Sequence, residues 1–149
     1  MDIQAAYDIV WQARLLEKMA RLGLDSYLVD WTQGFLTDRV SLLEVCKAKV
    51  EIHPRCGVPQ GSSVSPILFL IYIDDLLQLL DRGKWVNRQA FADDIFLWIA
   101  RSFCDGVIHP GLSWALGVVK QWSLYWQVQF SVRKCKCILF CEKNIHIAE

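Results

Sequence analysis

The chain has no long apolar run, no leader pattern, no excess of one charge and no C-x-x-C pair. Its longest uninterrupted apolar stretch, Ile67 to Ile73, falls far short of the about 20 residues a membrane-crossing helix needs, so no membrane span is expected. Asp2 follows Met1 directly, without the basic-then-apolar pattern of a secretory signal, so an intracellular protein of the nucleus or cytoplasm is expected. Lysine plus arginine equals aspartate plus glutamate at 16 each, for a formal charge of zero. Phosphate contacts supply much of the affinity for nucleic acid, so a neutral chain is a poor unaided binder. The 6 cysteines carry no exported disulfide signature, and reduced thiols follow. Cys135, Cys137 and Cys141, with His146, offer sulfur and nitrogen ligands, but the spacings of structural zinc sites are missing. Alternation on a strand instead places 135, 137, 139 and 141 on one face, which reads as a buried strand face.

What is present is a core-forming chain. With 149 residues, 54% of them apolar and 7 of them tryptophan, it has room for a single domain over 1–149. From Asp8, the residues Trp11, Leu15, Met19 and Leu22 recur at helical spacing, and the helix ends near Gly23. Asp25 or Ser26 caps a second helix, with Leu28, Trp31 and Phe35 as its apolar stripe. The stretch from Arg39 to Arg55 alternates as a hairpin does. CGVPQGSSVSP is the main loop signal, and Ser65-Pro66 suits a helix start, with Leu68, Tyr72, Leu76 and Leu80 on one stripe to about Leu80. WVNRQAFA and IFLWIA read as two strands joined by a two-residue Asp93-Asp94 turn. After Pro110, Leu112, Ala115, Leu116, Val119, Trp122 and Trp126 mark another amphipathic helix, and KCKCILFC closes as a strand. The fold class is α+β, an antiparallel sheet with helices packed on one face.

Two adjacent-carboxylate boxes compete for a chemical role, Tyr72-Ile73-Asp74-Asp75 and Phe91-Ala92-Asp93-Asp94. Two-metal phosphoryl or nucleotidyl transfer needs carboxylates from separate elements that converge. On a helix, successive residues point about 100° apart, and Tyr72 and Leu76 belong to the buried stripe, so Asp74 and Asp75 are expected to face solvent. Asp93-Asp94 sits at a hairpin tip, where carboxylates project beyond a sheet.

DIQAAYDIVW, RCGVPQGSSVSPILFLIYIDDLL, FADD and FSVRKCKCILF resemble, in order and approximate spacing, the palm motifs of reverse transcriptases. The match is nearest to the branch of non-LTR retrotransposons and group II introns. The GVPQGS-to-SP string is the most diagnostic of the four.

The resemblance implies a polymerase palm that adds deoxynucleotides to a DNA primer on an RNA template, with fingers and thumb supplied by further segments of a larger polyprotein. It implies that Asp2 is the first metal-binding carboxylate, with the Ile3 carbonyl as a further oxygen ligand. Asp93 is the second essential ligand and Asp94 its neighbour. Two Mg2+ ions suit hard oxygen donors and substrate phosphates, with Mn2+ as the alternative. Tyr7 takes the position of the steric gate against a ribose 2′-OH, although read without the family it is a core aromatic. Asp8 is read as a helix cap or ion-pair partner. Gln60 and Gly61 match the loop along the incoming nucleotide and template. Lys134 matches the lysine that neutralises or protonates the leaving pyrophosphate, and Arg39 is placed as a phosphate contact. The other reading is a non-catalytic remnant that binds nucleic acid or protein.

The departures from the family pattern are specific. Only Met1 precedes Asp2, and because chain ends fray unless tied down, a poorly held Asp2 is expected. Phe91 stands where tyrosine is commoner, and GSSVSP replaces GSVLSP.

Overall fold

The computed structural model describes residues 1–46, 48–99, 110–140 and 145–148. These comprise four α-helices and three antiparallel two-stranded sheets, an α+β architecture consistent with a partial reverse-transcriptase-type palm. The strands form three antiparallel hairpins, and short backbone bridges extend one of them. None of the described helices is long and apolar enough to cross a membrane. The chain falls into two compact units, one of Met1–Gln4 with Ile73–Glu149 and one of Ala5–Tyr72.

In the Ala5–Tyr72 unit, α1 (Gln12–Arg21) begins four residues later than the apolar periodicity from Asp8 indicates. Ala5, at φ 48°, starts a tight turn in which the Asp8 and Ile9 amides donate to the Ala5 carbonyl at 2.8 and 3.1 Å. That turn consumes the residues that would have been the first helical turn. Leu15 and Met19 are buried, whereas Trp11 and Leu22 at the ends of the expected stripe are exposed. Helix α2 (Ser26–Leu36) has Asp25 as its N-cap, the carboxylate accepting from the Tyr27 amide at 2.8 Å. Its buried side holds Thr32 and Leu36; the expected stripe lies outward, with Leu28 and Trp31 exposed and Trp31 stacked on Phe35 at 5.2 Å. β1 (Ser41–Val45) and β2 (Ala48–Ile52) form the expected hairpin.

Helix α3 (Ser65–Asp81) begins in this unit and continues into the other. Its expected stripe is the observed one, with Leu68, Tyr72, Leu76 and Leu80 all buried. Ser65 does not cap the helix: its buried hydroxyl donates to the Pro59 carbonyl at 2.6 Å, and Val64 supplies the first helical acceptor.

In the other unit, β3 (Asn87–Phe91) and β4 (Asp94–Trp98) pair antiparallel, with Phe91 opposite Asp94. Helix α4 (Pro110–Trp126) buries Ala115, Val119 and Trp122, while Leu116 is exposed. β5 (Cys137–Phe140) and β6 (Ile145–Ala148) form the last hairpin. The core of this unit takes Ile3, Ile73, Leu76, Leu80, Val86, Ile95, Val119, Trp122 and Val128.

Candidate active site

Residues 1–4 form the floor on which the first carboxylate stands. The Met1 carbonyl accepts from the Ile95 amide at 2.9 Å, and the Met1 ammonium donates to the Ile95 carbonyl at 2.6 Å. On the opposite side, the Gln4 amide donates to the Gln129 carbonyl and the Ser131 amide to the Asp2 carbonyl, both at 2.8 Å. The segment is therefore a short strand inserted between β4 and residues 129–131, with Ile3 only 2% exposed. Asp2 is held from both flanks, which corrects the expectation of a poorly held chain end.

Alternation along the segment sends Ile3 into the core and Asp2 to the opposite face. The bridge pairs Asp2 with Asp94, so two carboxylates stand directly across from each other. Like charges in that position repel. Lys134, presented by a 3-10 turn at Val132–Lys134, places its ammonium 3.0 Å from Asp2 Oδ2. The hydrogen bond to Asp2, its charge, and more weakly the charges of Asp93 and Asp94 hold the Lys134 pKa above the ordinary lysine value. Asp2, Asp93, Asp94 and Lys134 thus lie in one electrostatic neighbourhood. Among the described residues, no three metal-ligating side chains are drawn together closely enough to hold an ion.

The hairpin turn differs by one residue from the Asp93-Asp94 turn expected from sequence. Phe91 pairs with Asp94, so Ala92 and Asp93 make the turn and Asp94 is the first residue of β4. Ala92 occupies the left-handed region at φ 52°, a conformation that favours glycine.

The GVPQGS loop, in the Ala5–Tyr72 unit, lies against the Tyr7–Val10 segment. The Gly57 amide donates to the Val10 carbonyl and the Val58 amide to the Tyr7 carbonyl, both at 2.7 Å. A Cβ on Gly57 would sit 2.8 Å from the Tyr7 carbonyl oxygen and 2.9 Å from Asp8 Cα. Tyr7 is half-buried, its ring 5.6 Å from that of Phe69, so its core-aromatic character and its motif position coexist. The Gln60 side-chain amide donates to both Asp8 oxygens at 3.2 and 3.1 Å. Asp8 is thus neither the helix cap, which is Trp11, nor seen in an ion pair among the described residues. Gly61, at φ 85°, has open space where a Cβ would stand. Arg39 donates to the Cys56 carbonyl at 2.9 Å, a contact that fastens the start of the loop.

A family model described as "Reverse transcriptase (RNA-dependent DNA polymerase)" matches residues 1–147. The chain belongs to the reverse transcriptase family. The RNA-directed DNA polymerase from mobile element jockey of Drosophila melanogaster is 31% identical to it over 97% of this chain and 16% of its own length. A Retrovirus-related Pol polyprotein from type-1 retrotransposable element R2 of Popillia japonica is 31% identical over 65% of this chain and 18% of its own. This reverse transcriptase chain thus falls in the non-LTR retrotransposon branch, and it spans about a sixth of the jockey relative's length.

Within this reverse transcriptase sequence, the YIDD box is structural, though not in the way its sequence suggests. Asp75 accepts from the indole N–H of buried Trp122 at 3.0 Å and from the Leu76 amide at 3.0 Å, tying α3 to α4. Asp74 accepts from Gln78 at 2.6 Å. The expectation that both face solvent fails for Asp75. The cysteine row also differs: Cys135 precedes β5 and is half-buried, Cys137 is exposed, and Cys141 lies outside the described residues. The Asp75–Trp122 and Asp8–Gln60 pairs escaped the sequence reading; an acid on an otherwise apolar helix was the available signal for the first.

Proposed function

We propose that residues 1–149 serve as the palm domain of an RNA-directed DNA polymerase, extending a DNA primer on an RNA template. The observation that carries the reading is the inserted strand at residues 1–4, which sets Asp2 opposite Asp94 with Lys134 alongside. These residues come from three of four motifs that occur in the family's order.

The donor chemistry suits hard divalent cations. Asp2, Asp93 and Asp94 are oxygen ligands, the set that Mg2+ or Mn2+ takes, and the Lys134 ammonium on Asp2 shows that the corner attracts positive charge. By motif position, Asp2, Asp93 and Asp94, with the Ile3 carbonyl, would be the ligands of two ions once drawn closer together than they stand here. When bound, these supply charge neutralisation at the phosphoryl group and a more acidic primer hydroxyl.

The reaction joins the primer 3′ oxygen to the α-phosphorus of a deoxynucleoside triphosphate and breaks the bond from that phosphorus to the pyrophosphate oxygen. The hydroxyl proton leaves toward solvent or a carboxylate, and Lys134 supplies a proton to the departing pyrophosphate. Tyr7 excludes a 2′-OH, Gln60 and Gly61 lie along nucleotide and template, and Arg39 meets a phosphate. These roles rest on motif position. Fingers and thumb segments of a larger polyprotein would supply the remaining grip on the nucleic acid, consistent with the neutral charge of this chain.

Primer extension on an RNA template with magnesium tests the proposal on this chain, its Asp93→Ala variant and an upstream-extended version. We expect Asp93→Ala to lower extension by at least about a hundredfold while leaving thermal unfolding in place, as loss of an electrostatic catalytic group does. Equal and measurable extension by the parent and Asp93→Ala, or inactivity of the extended version, would remove the enzymatic reading.

A further inference from the structure

The Asp8–Gln60 contact has the form of a device for orienting an amide. An ionised carboxylate only accepts hydrogen bonds, whereas a glutamine amide carries a donor end and an acceptor end. Facing Asp8, Gln60 has one favourable orientation, with its NH2 group toward the carboxylate, as the 3.1 and 3.2 Å contacts record. The opposite flip would set the Gln60 carbonyl oxygen against the carboxylate, acceptor against acceptor. The Gln60 carbonyl oxygen is thereby turned away from Asp8, and it has no hydrogen-bond donor among the described residues.

The backbone around the pair is fixed independently of it. Two 2.7 Å bonds clamp residues 57 and 58 onto the 7–10 segment, and the Gly57–Asp8 packing leaves no room for a side chain. The buried Ser65 hydroxyl holds the Pro59 carbonyl at 2.6 Å. With residues 57–59 anchored immediately before it, Gln60 keeps the freedom of its own side chain, and that is what Asp8 restricts. Both residues are exposed, so the pair does not fill core space, and the contact adds little to stability.

We propose that Asp8 is a positioning residue: it holds Gln60 so that the amide carbonyl faces outward as an acceptor for a hydroxyl or amino donor of the bound nucleotide or template. This rests on the polymerase reading for the identity of the ligand, but the orientation itself does not.

The test uses the full chain, with Asp8→Leu, which removes the acceptor at similar size, and Asp8→Asn, which permits both amide orientations. Side-chain amide NMR is the first readout. The Gln60 NH2 resonances are expected to move to free-amide positions in Asp8→Leu and to shift partway in Asp8→Asn; identical resonances in all three proteins would overturn the proposal. Single-nucleotide extension with dTTP is the second. KM for dTTP should rise about tenfold in Asp8→Leu and less in Asp8→Asn, with kcat within about twofold, as loss of one positioned charge-assisted contact predicts. A fall in kcat at unchanged KM, or no change in either, would refute the positioning role. If neither the parent chain nor its upstream-extended version extends a primer while the Gln60 resonances still depend on Asp8, the polymerase reading fails and the orientation stands.

Discussion

Gly57→Ala is the sharpest test of how the GVPQGS loop is built. At φ 82°, any L side chain is strained, by about 1–2 kcal/mol. Its Cβ would also lie 2.8 Å from the Tyr7 carbonyl oxygen, 2.9 Å from Asp8 Cα and 3.0 Å from the Asp8 carbonyl oxygen. These are backbone atoms and cannot swing aside as a flexible side-chain tip would. Either the clash remains, at about 1–3 kcal/mol, or the loop lifts and weakens the two 2.7 Å backbone bonds beside it, at about 0.5–1.5 kcal/mol each. The total is about 2–5 kcal/mol. Gly61→Ala is the matched control, since Gly61 has nearly the same φ of 85° but nothing within 4 Å of the added carbon, and should cost only about 1–2 kcal/mol. In a chain of this size each kcal/mol moves Tm by about 2–4 °C, so calorimetry should show a drop of about 10 °C for Gly57→Ala and about 4 °C for Gly61→Ala. Equal drops would mean that the loop does not press on the Tyr7–Asp8 backbone, and the account of its anchoring would be wrong.

Three further outcomes follow from other contacts. Asp75→Ala should destabilise by about 1–3 kcal/mol in urea unfolding, because Asp75 is a charged acceptor for the Trp122 indole; Asp74→Ala, which removes only an exposed contact to Gln78, should stay within about 0.5 kcal/mol, and equal effects would contradict the assigned roles. Ala92→Gly should stabilise by about 0.5–1 kcal/mol by relieving the positive φ of 52°, and a loss of stability would show that the turn adopts another form. The Glu17 pKa is lowered, chiefly by its hydrogen bond from Arg14, so its contribution is present above the ordinary value of 4.5 and disappears as pH falls through the depressed one. Melting curves of the parent and Glu17→Gln should therefore differ at neutral pH and converge in acid; a gap that persists in acid would remove the Arg14 pairing as its cause.

The elements that were legible in the sequence are those whose signals are local. The α3 stripe, the Asp25 cap and the hairpins around residues 41–52 and 87–98 follow from periodicity, capping chemistry and turn composition over short distances. What was missed depends on residues far apart in the chain. Helix α2 is apolar on more than one side, so spacing alone selected Leu28 and Trp31 where the fold buries Thr32 and Leu36. Asp74 and Asp75 are neighbours in sequence but project about 100° apart. The approach of Trp122, 47 residues away, gives Asp75 a donor from another helix. The turn at Ala92-Asp93 was displaced because Asp tolerates turn conformations better than Ala, yet strand register decides which residues close the hairpin. In the candidate site, motif order pointed to candidate residues, while the pairings that hold Asp2 and Gln60 required the fold.

The placement of Asp2 shows why a chain-end argument misjudges a strand. Fraying is set by the bonds a residue makes sideways as well as by the chain on either side of it. Residues 1–4 exchange backbone bonds with β4 on one edge and with residues 129–131 on the other, and the buried Ile3 locks the facing of its neighbour. That same register forces Asp2 and Asp94 to stand opposite each other, an arrangement that disfavours folding through like-charge repulsion. Lys134 offsets the repulsion from outside the sheet, with its ammonium on Asp2. A sheet selected for stability alone would place a threonine or a lysine at one of the two positions. The opposed carboxylates therefore sit at a local electrostatic cost, at a sheet corner that also carries Lys134, and a cation arriving there would relieve the repulsion that the register creates.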